Sequence, residues 1–185
     1  GGAAYDEQRM VYRASKYKFD YYHYHRWAAP PGQLVSDTLR EIYRNTGVFK
    51  AVVGGYSTEA DVVLSGRVIA LEERDKSRKE WLGRVKLDML LRDAKTGELM
   101  WTETIYVEEP LVRQDPSGLT QAVSNALTNI GVQTAGQIAE MGKQSVRRRS
   151  QQPAGGTKPE ATTNDTRDDS DRQQEPGLPG NGSQQ

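Results

Sequence analysis

Residues 81–93 read Trp-Leu-Gly-Arg-Val-Lys-Leu-Asp-Met-Leu-Leu-Arg-Asp, and their alternation is the strongest structural signal in the chain. From Trp81 to Leu91 the odd positions are apolar or glycine, whereas the even positions are mostly charged. Successive strand side chains point to opposite faces, so the pattern predicts one dry face and one solvated face. A tight turn is predicted at Asp93–Gly97, after which the alternation resumes over Leu99–Val107.

Other segments predict four further strands. Two of them, Arg9–Arg13 and the aromatic-rich Lys18–Arg26, are joined by a short connection and predict a hairpin. Val48–Val53 is a short apolar run that ends at two glycines, and Ala60–Glu72 is a longer one. In the longer run, the residues expected on one face are Ala60, Val62, Leu64, Val68 and Ala70.

Two segments predict helices. Apolar residues recur at helical spacing over Gln33–Asn45, after a proline pair and before Gly47, which suits a left-handed cap. The pair Asp115-Pro116 suits the start of a last helix, whose apolar stripe runs to Met141. The order is therefore ββαββββα. We expect an α+β two-layer sandwich, in which a largely antiparallel or mixed sheet carries both helices on one face.

Composition divides the chain in two. Over residues 146–185 the only hydrophobic residues are Val146, Ala154, Ala161 and Leu178, among many Gln, Gly, Pro and charged residues. Such a segment cannot bury enough surface to offset its ordering entropy. We expect an α+β domain over residues 1–145 and a disordered hydrophilic tail over residues 146–185.

Charge and cysteine content exclude several classes of function. The 25 basic and 25 acidic residues give zero net charge, so no global field draws nucleic acid to the chain. The chain has no cysteine, which excludes disulfides, thiolate chemistry and cysteine metal sites. No run approaches the roughly 18 apolar residues of a membrane helix.

The remaining motifs do not predict a catalytic, cofactor or metal site. His23 and His25 share a strand face, but there is no other histidine to complete a metal site. No serine has the setting of a hydrolase nucleophile. The acid pairs Glu72-Glu73 and Glu108-Glu109 lie among charged neighbours, and Glu72–Glu80 is a dense charge cluster. We interpret both pairs as solvated turns and the cluster as a solvated loop.

The aromatic block at residues 21–27, Tyr-Tyr-His-Tyr-His-Arg-Trp, is the most suggestive local feature. A half-buried strand exposes about half of these side chains, and exposed Tyr, Trp and Arg are favoured at interfaces. Tyr22, Tyr24 and Trp27 are therefore the candidate partner-binding residues. Packing of Trp27 against the following helix is the alternative interpretation.

Several segments, taken in order, resemble the ABC-type transport auxiliary lipoproteins, the family that includes the lipoprotein partners of paraquat-inducible and other MCE-type transport systems. The resemblance covers roughly residues 5–142. The segments are Arg-Met-Val-Tyr-Arg (9–13), Tyr-Tyr-His-Tyr-His-Arg-Trp-Ala-Ala-Pro-Pro (21–31), Thr-Gly-Val-Phe-Lys-Ala-Val (46–52), Ala-Asp-Val-Val-Leu-Ser-Gly-Arg-Val (60–68), Trp-Leu-Gly-Arg-Val-Lys-Leu (81–87) and Leu-Arg-Asp-Ala-Lys-Thr-Gly-Glu-Leu-Met-Trp (91–101).

The resemblance implies a non-enzymatic component on the periplasmic face of the outer membrane of a Gram-negative bacterium. Its partners would be an MCE-domain protein and an ABC permease system that move lipids between membranes. It would be anchored by a lipidated N-terminal cysteine, which we expect upstream of Ala3 because this sequence contains none. A soluble carrier that holds an acyl chain between helices and sheet is the alternative function. A homo-oligomer also stays open, since a sheet leaves edges to be covered.

Overall fold

The structure, a computed structural model, describes residues 5, 7–13, 15, 18–55, 57–77 and 79–151. Within them, two strands, a helix, three strands and a second helix follow one another along the chain. The elements are β1 (Arg9–Arg13), β2 (Phe19–Arg26), α1 (Pro31–Asn45), β3 (Val62–Ser77), β4 (Glu80–Asp93), β5 (Leu99–Pro110) and α2 (Pro116–Gln151).

The strands form one mixed sheet in the order β2-β1-β3-β4-β5. Strands β1 and β2 form the predicted antiparallel hairpin, and β3, β4 and β5 form an antiparallel meander. Strand β1 lies parallel to β3, and this one parallel pair makes the sheet mixed. The predicted α+β class with two helices on one side of a sheet is confirmed.

The alternation in β4 sets the two faces of the sheet as predicted. Val85, Leu87, Met89 and Leu91 are buried in the core together with residues of both helices. Burying each side chain of this size contributes about 1.5–3 kcal/mol. A Cβ atom at Gly83 would lie only 2.5 Å from the Cβ of Ala122, so α2 lies close against the sheet at this point. We call the opposite face of the sheet the open face.

The predicted turn and the predicted start of the last helix both form. The carboxylate of Asp115 accepts a hydrogen bond from the backbone N–H of Gly118 at 2.7 Å, which caps the first turn of α2. Gly97 has a φ of 74°, in the left-handed region that favours glycine.

The side chain of Asp93 joins this turn to the end of α2. Its Oδ1 atom accepts hydrogen bonds from the backbone N–H groups of Lys95 and Thr96, and its Oδ2 atom accepts one from Ser145. Burial by itself would raise the pKa of Asp93, but these hydrogen bonds and the nearby charge of Arg149 outweigh burial and lower the pKa to about 2.

The predicted strand at Val48–Val53 does not form, so the observed order is ββαβββα. The segment instead packs back onto α1, where the ring of Phe49 meets that of Tyr43 edge-on, with the ring centres 5.7 Å apart. The carbonyl of Val52 accepts a hydrogen bond from Arg44 rather than from a neighbouring strand.

The second helix is longer than predicted. It continues through Gln151, past the domain boundary predicted after residue 145. The rest of the predicted tail, residues 152–185, lies outside the described residues.

A β-bulge in β3 changes which residues face the helices. Val68 lies opposite Leu87 of the core face, but the next paired residue, Ala70, lies opposite Lys86 of the open face. The expectation that Ala70 shares a face with Val68 is therefore wrong. One extra residue, Ile69, inverts the alternation, so Glu72 lies on the open face.

Candidate functional site

The aromatic block forms a bulge on the edge strand β2. Four consecutive residues, Tyr22–His25, lie opposite the single residue Met10 of β1. The flanking pairs are Val11 with Tyr21 and Arg9 with Arg26. We call Tyr22–His25 the aromatic bulge. At its tip the side chain of Tyr24 is 94% exposed.

Tyr22 anchors the aromatic bulge to the sheet. Its hydroxyl donates a hydrogen bond to Glu73 at 2.6 Å, and its ring meets Tyr12 and His25 edge-on at 5.6 and 6.0 Å. Burial and, after it, the contact with Glu73 raise the pKa of Tyr22 well above its usual range. The phenol is therefore neutral and acts as a donor.

Trp27, the third candidate, is only 4% exposed, so its side chain is part of the core. It lines a cavity of about 330 Å³ between the two helices and the β1–β2 end of the sheet. Its buried Nε1 atom has no hydrogen-bond partner among the described residues. The other residues around the cavity are Met10, Arg26, Ala28, Leu34, Thr38, Thr120, Val123, Ser124 and Leu127.

The interpretation of Glu72-Glu73 as a solvated turn is wrong. β3 continues through both residues to Ser77, and their exposed fractions are only 0% and 2%. The predicted loop Glu72–Glu80 consequently reduces to the connection between Ser77 and Glu80. The charges do not force this segment into solvent because side chains from other segments of the chain bind both carboxylates.

Glu72 lies at the centre of a buried polar network. Arg13 from β1 binds Glu72 at 2.9 Å. Arg84 lies directly opposite Glu72 on β4 and binds the same carboxylate at 3.1 Å. The hydroxyl of Tyr5 also donates a hydrogen bond to this carboxylate. Burial, the bond to Glu72 and the charge of Glu72 raise the pKa of Tyr5 to about 12. Two arginines and a phenol therefore compensate one buried carboxylate.

Glu73 has a different environment, although it is adjacent in sequence. It faces the helix side and accepts hydrogen bonds from Tyr22 and, at 3.4 Å, from Gln114. No cation of the described part of the chain lies within ion-pair distance of it. Burial is the main cause of its raised pKa, which these hydrogen bonds only partly offset.

The pair Glu108-Glu109 is also not a solvated turn, because both residues belong to β5. Glu108 forms an ion pair with Arg74 of β3 at 2.7 Å, and Glu109 accepts a hydrogen bond from Asn129 of α2 at 2.5 Å. Burial raises the pKa of Glu108, but the bonds from Tyr106 and Arg74 outweigh burial and lower it. These carboxylates connect elements of the fold.

The part of the chain that the structure describes contains no cluster of side chains arranged as a metal site. Groups of three or more His, Asp or Glu side chains able to hold a metal ion do not occur there. His23 and His25 are both exposed and contact the aromatic rings of Tyr24 and Tyr22. None of the described helices combines the length and apolarity that a membrane crossing requires.

The family model of the ABC-type transport auxiliary lipoprotein component matches residues 3–135, most of the chain. The chain belongs to this family. Its members are lipoproteins that serve as auxiliary components of ABC-type transport systems, which implies partners within such a system. The family is not a known enzyme family. No curated protein sequence matches the chain significantly.

Solved structures show the same fold. The crystal structure of XCC0632 from Xanthomonas campestris has a TM-score of 0.69 at 20% identity, covering 79% of this chain and 82% of that protein. The crystal structure of an uncharacterised protein has a TM-score of 0.63 at 16% identity, covering 73% of this chain and 84% of that one. At these identities the likeness concerns the fold alone.

Proposed function

We propose that this auxiliary lipoprotein is a non-enzymatic docking component, held on the periplasmic face of the outer membrane, that binds an MCE-domain protein of an ABC-type lipid transport system. The exposed Tyr24 at the tip of the aromatic bulge is the observation that carries the docking part of this proposal. Family membership supports the transport context, and the structural use of all four acid-pair carboxylates supports a role other than catalysis.

The aromatic bulge has the features of a binding hot spot. Tyrosine is enriched at interfaces because it combines a large contact area with a hydroxyl and few rotatable bonds. Tyr24 exposes nearly all of its side chain, while the Tyr22–Glu73 bond holds the strand beneath it. Trp27 fills the core behind the end of β2. In this arrangement Tyr24 makes contact, and Tyr22 and Trp27 position it.

A binding measurement with an MCE-domain protein from the same organism tests the proposal. We expect Tyr24→Ala to weaken binding by about thirtyfold, the effect of a 2 kcal/mol hot spot. Val132→Ala is the matched control, because Val132 is 59% exposed but lies on the outer side of α2. It should bind like the parent protein.

A second variant separates contact from positioning. Tyr22→Phe removes the hydroxyl that bonds Glu73 and keeps the ring, so a smaller loss of affinity is expected than for Tyr24→Ala. Absence of any binding by the parent protein refutes docking. Equal binding by the parent and Tyr24→Ala refutes this surface and leaves docking intact.

The anchor requires its own test. A signal sequence that ends in a small-residue box and a cysteine, encoded upstream of Ala3, would supply the lipid attachment. Fractionation of cells that express the complete gene should place the protein with the outer membrane, and substitution of that cysteine should release it to the periplasm. Recovery of the parent protein in the inner membrane would contradict the location.

The cavity beside Trp27 supports a second candidate function, an acyl-chain carrier. Its volume of about 330 Å³ lies at the lower end of the range for ligand pockets. Native mass spectrometry of the purified parent protein should then show a bound lipid. Leu127→Trp fills the cavity and should abolish this binding. A parent protein free of lipid argues against this candidate.

A second copy of the chain is a further candidate partner. Strands β2 and β5 are the two edges of the sheet, and edges are commonly covered or paired. Light scattering after size exclusion distinguishes a monomer from a homo-oligomer.

A further inference from the structure

The open face of the sheet carries a groove of about 680 Å³ that the transport context does not explain. Four of its six lining residues are cationic and none is acidic. The residues are Arg13, Arg74, Arg84, Lys86, Thr104 and Tyr106. In a chain whose net charge is zero, a concentration of cations in one groove is a local feature and not a consequence of composition.

Strand register brings these cations together. Arg13 of β1 lies beside Arg74 of β3, and Lys86 of β4 lies opposite Tyr106 of β5. Arg84 lies two residues before Lys86 and therefore on the same face. The cations thus come from three different strands, and the sheet backbone fixes their spacing.

The described carboxylates around the groove leave one of its cations without an ion-pair partner. Glu72 is shared by two arginines, Glu108 binds Arg74, and Asp88 at one end binds Arg67 at 3.0 Å. Lys86 forms no ion pair within the described part of the chain. No carboxylate of the described residues therefore balances the charge of Lys86, and this charge adds to those of the three arginines that line the groove.

Neighbouring side chains hold the guanidinium group of Arg84 in place. Its Nη1 atom binds Glu72, but its buried Nε atom has no hydrogen-bond partner among the described residues. The guanidinium lies 5.4 Å from the ring centre of Tyr106, which restricts its orientation.

We propose that this groove binds a phosphate group, held by Arg74, Arg84 and Lys86. Guanidinium groups match the tetrahedral oxygens of phosphate with paired N–H donors, and Lys86 adds an ammonium charge. A phosphomonoester and a phosphodiester share this chemistry. Assignment of the phosphate to a phospholipid head group rests on the proposed function, whereas phosphate binding itself does not.

Titration of the ¹⁵N-labelled protein with inorganic phosphate at low ionic strength tests the groove. Saturable amide shifts are expected on β4 and β5 around Lys86 and Tyr106. Lys86→Gln removes a cation that holds no ion pair, so the fold should be retained, and it should weaken phosphate binding about tenfold. Arg74→Gln, which breaks the pair with Glu108 and a long hydrogen bond to the hydroxyl of Tyr106, should have a similar effect.

Arg92→Gln is the matched control. Arg92 lies on the same strand and, like Lys86, at an even position, but it is outside the groove and bonds the carbonyl of Gly97. It should leave phosphate affinity unchanged. The proposal fails if the parent shows no saturable shifts around the groove, or if Arg92→Gln and Lys86→Gln weaken binding equally.

Vesicles then identify the source of the phosphate. A lipid head group is supported if the protein binds phosphatidylglycerol vesicles and inorganic phosphate competes with this binding. Lys86→Gln should then lower vesicle binding more than Arg92→Gln does. Saturable binding of inorganic phosphate without vesicle binding supports a free phosphate compound. Both results are independent of the MCE-protein measurement, so a failure of docking is distinguishable from a failure of the groove.

Discussion

Replacement of Glu72 by glutamine tests whether its carboxylate is a buried structural charge. The parent carboxylate compensates Arg13 and Arg84 and accepts a bond from Tyr5. Glutamine keeps the shape and one acceptor oxygen but removes the negative charge. The two guanidinium groups then lose the negative charge that they share.

The structure sets the size of the expected effect. Breaking a fully buried ion pair costs about 3–5 kcal/mol. Here the carboxylate is inaccessible, but the side chains of Arg13 and Arg84 are 21% and 24% exposed, and water screens them in part. We therefore expect Glu72→Gln to lower the free energy of unfolding by about 1–3 kcal/mol.

Two neighbouring variants make this prediction sharp. Glu73→Gln should not destabilise the protein at neutral pH, because no cation of the described residues pairs with the buried Glu73 and glutamine removes an unfavourable charge. Glu80→Gln removes the partner of Lys76, an exposed pair, and should change stability by about 0.5 kcal/mol or less.

Urea unfolding followed by far-ultraviolet circular dichroism at pH 7 measures all three variants. The m-values should agree among them, so that the midpoints report stability alone. Equal stabilities of Glu72→Gln and Glu80→Gln would refute the reasoning, since that result is expected for a solvated loop. If Glu73→Gln destabilised the protein as much as Glu72→Gln, the ion pairs of Glu72 would not explain the effect of its substitution.

Further predictions concern acid stability and helix packing. The pKa of Asp93 is lowered from 3.8 to about 2, so its contribution to stability is complete above about pH 4 and is lost as the pH falls towards 2. Acid titration should show a flatter loss of stability over that range for Asp93→Asn than for the parent. A Cβ at Gly131 would lie 2.5 Å from Cγ2 of Ile42, so Gly131→Ala should incur an overpacking cost of about 1–3 kcal/mol. A Cβ at Gly136 on the same helix would meet nothing within 4 Å, so Gly136→Ala should stabilise the protein by about 0.8–1 kcal/mol. Similar thermal melting temperatures for the two variants would contradict the close packing of Gly131 against Ile42.

Local sequence signals predicted the elements that depend on local chemistry. The alternation over residues 81–93 identified β4 and its core face, and Asp115 identified the start of α2. Val48–Val53 misled because apolar content alone does not provide a neighbouring strand to pair with. Sequence could indicate that the segment is partly buried, but not that it packs on α1.

The polar network could not be predicted because its partners are distant in sequence. Arg13 and Glu72 are 59 residues apart, and they meet only because β1 lies parallel to β3. The bulge at Ile69 adds a second obstacle, since it moves Glu72 to the open face without any glycine or proline as a signal. A run of charged residues suggests solvent exposure when it is read alone. It is buried here because other segments supply partners that the sequence does not reveal.

The buried network and the groove have one physical explanation. A buried ion pair stabilises a fold no better than apolar side chains of similar volume, so stability alone does not require Arg13, Arg84 and Glu72. The three residues nevertheless lie on the open face, where two of them line the groove. Their carboxylate holds the guanidinium groups in fixed positions, which lowers the entropy lost when a ligand binds. In the proposed phosphate groove Glu72 would be a positioning residue, because it binds two of the arginines that line the groove, and this role would account for its cost in desolvation.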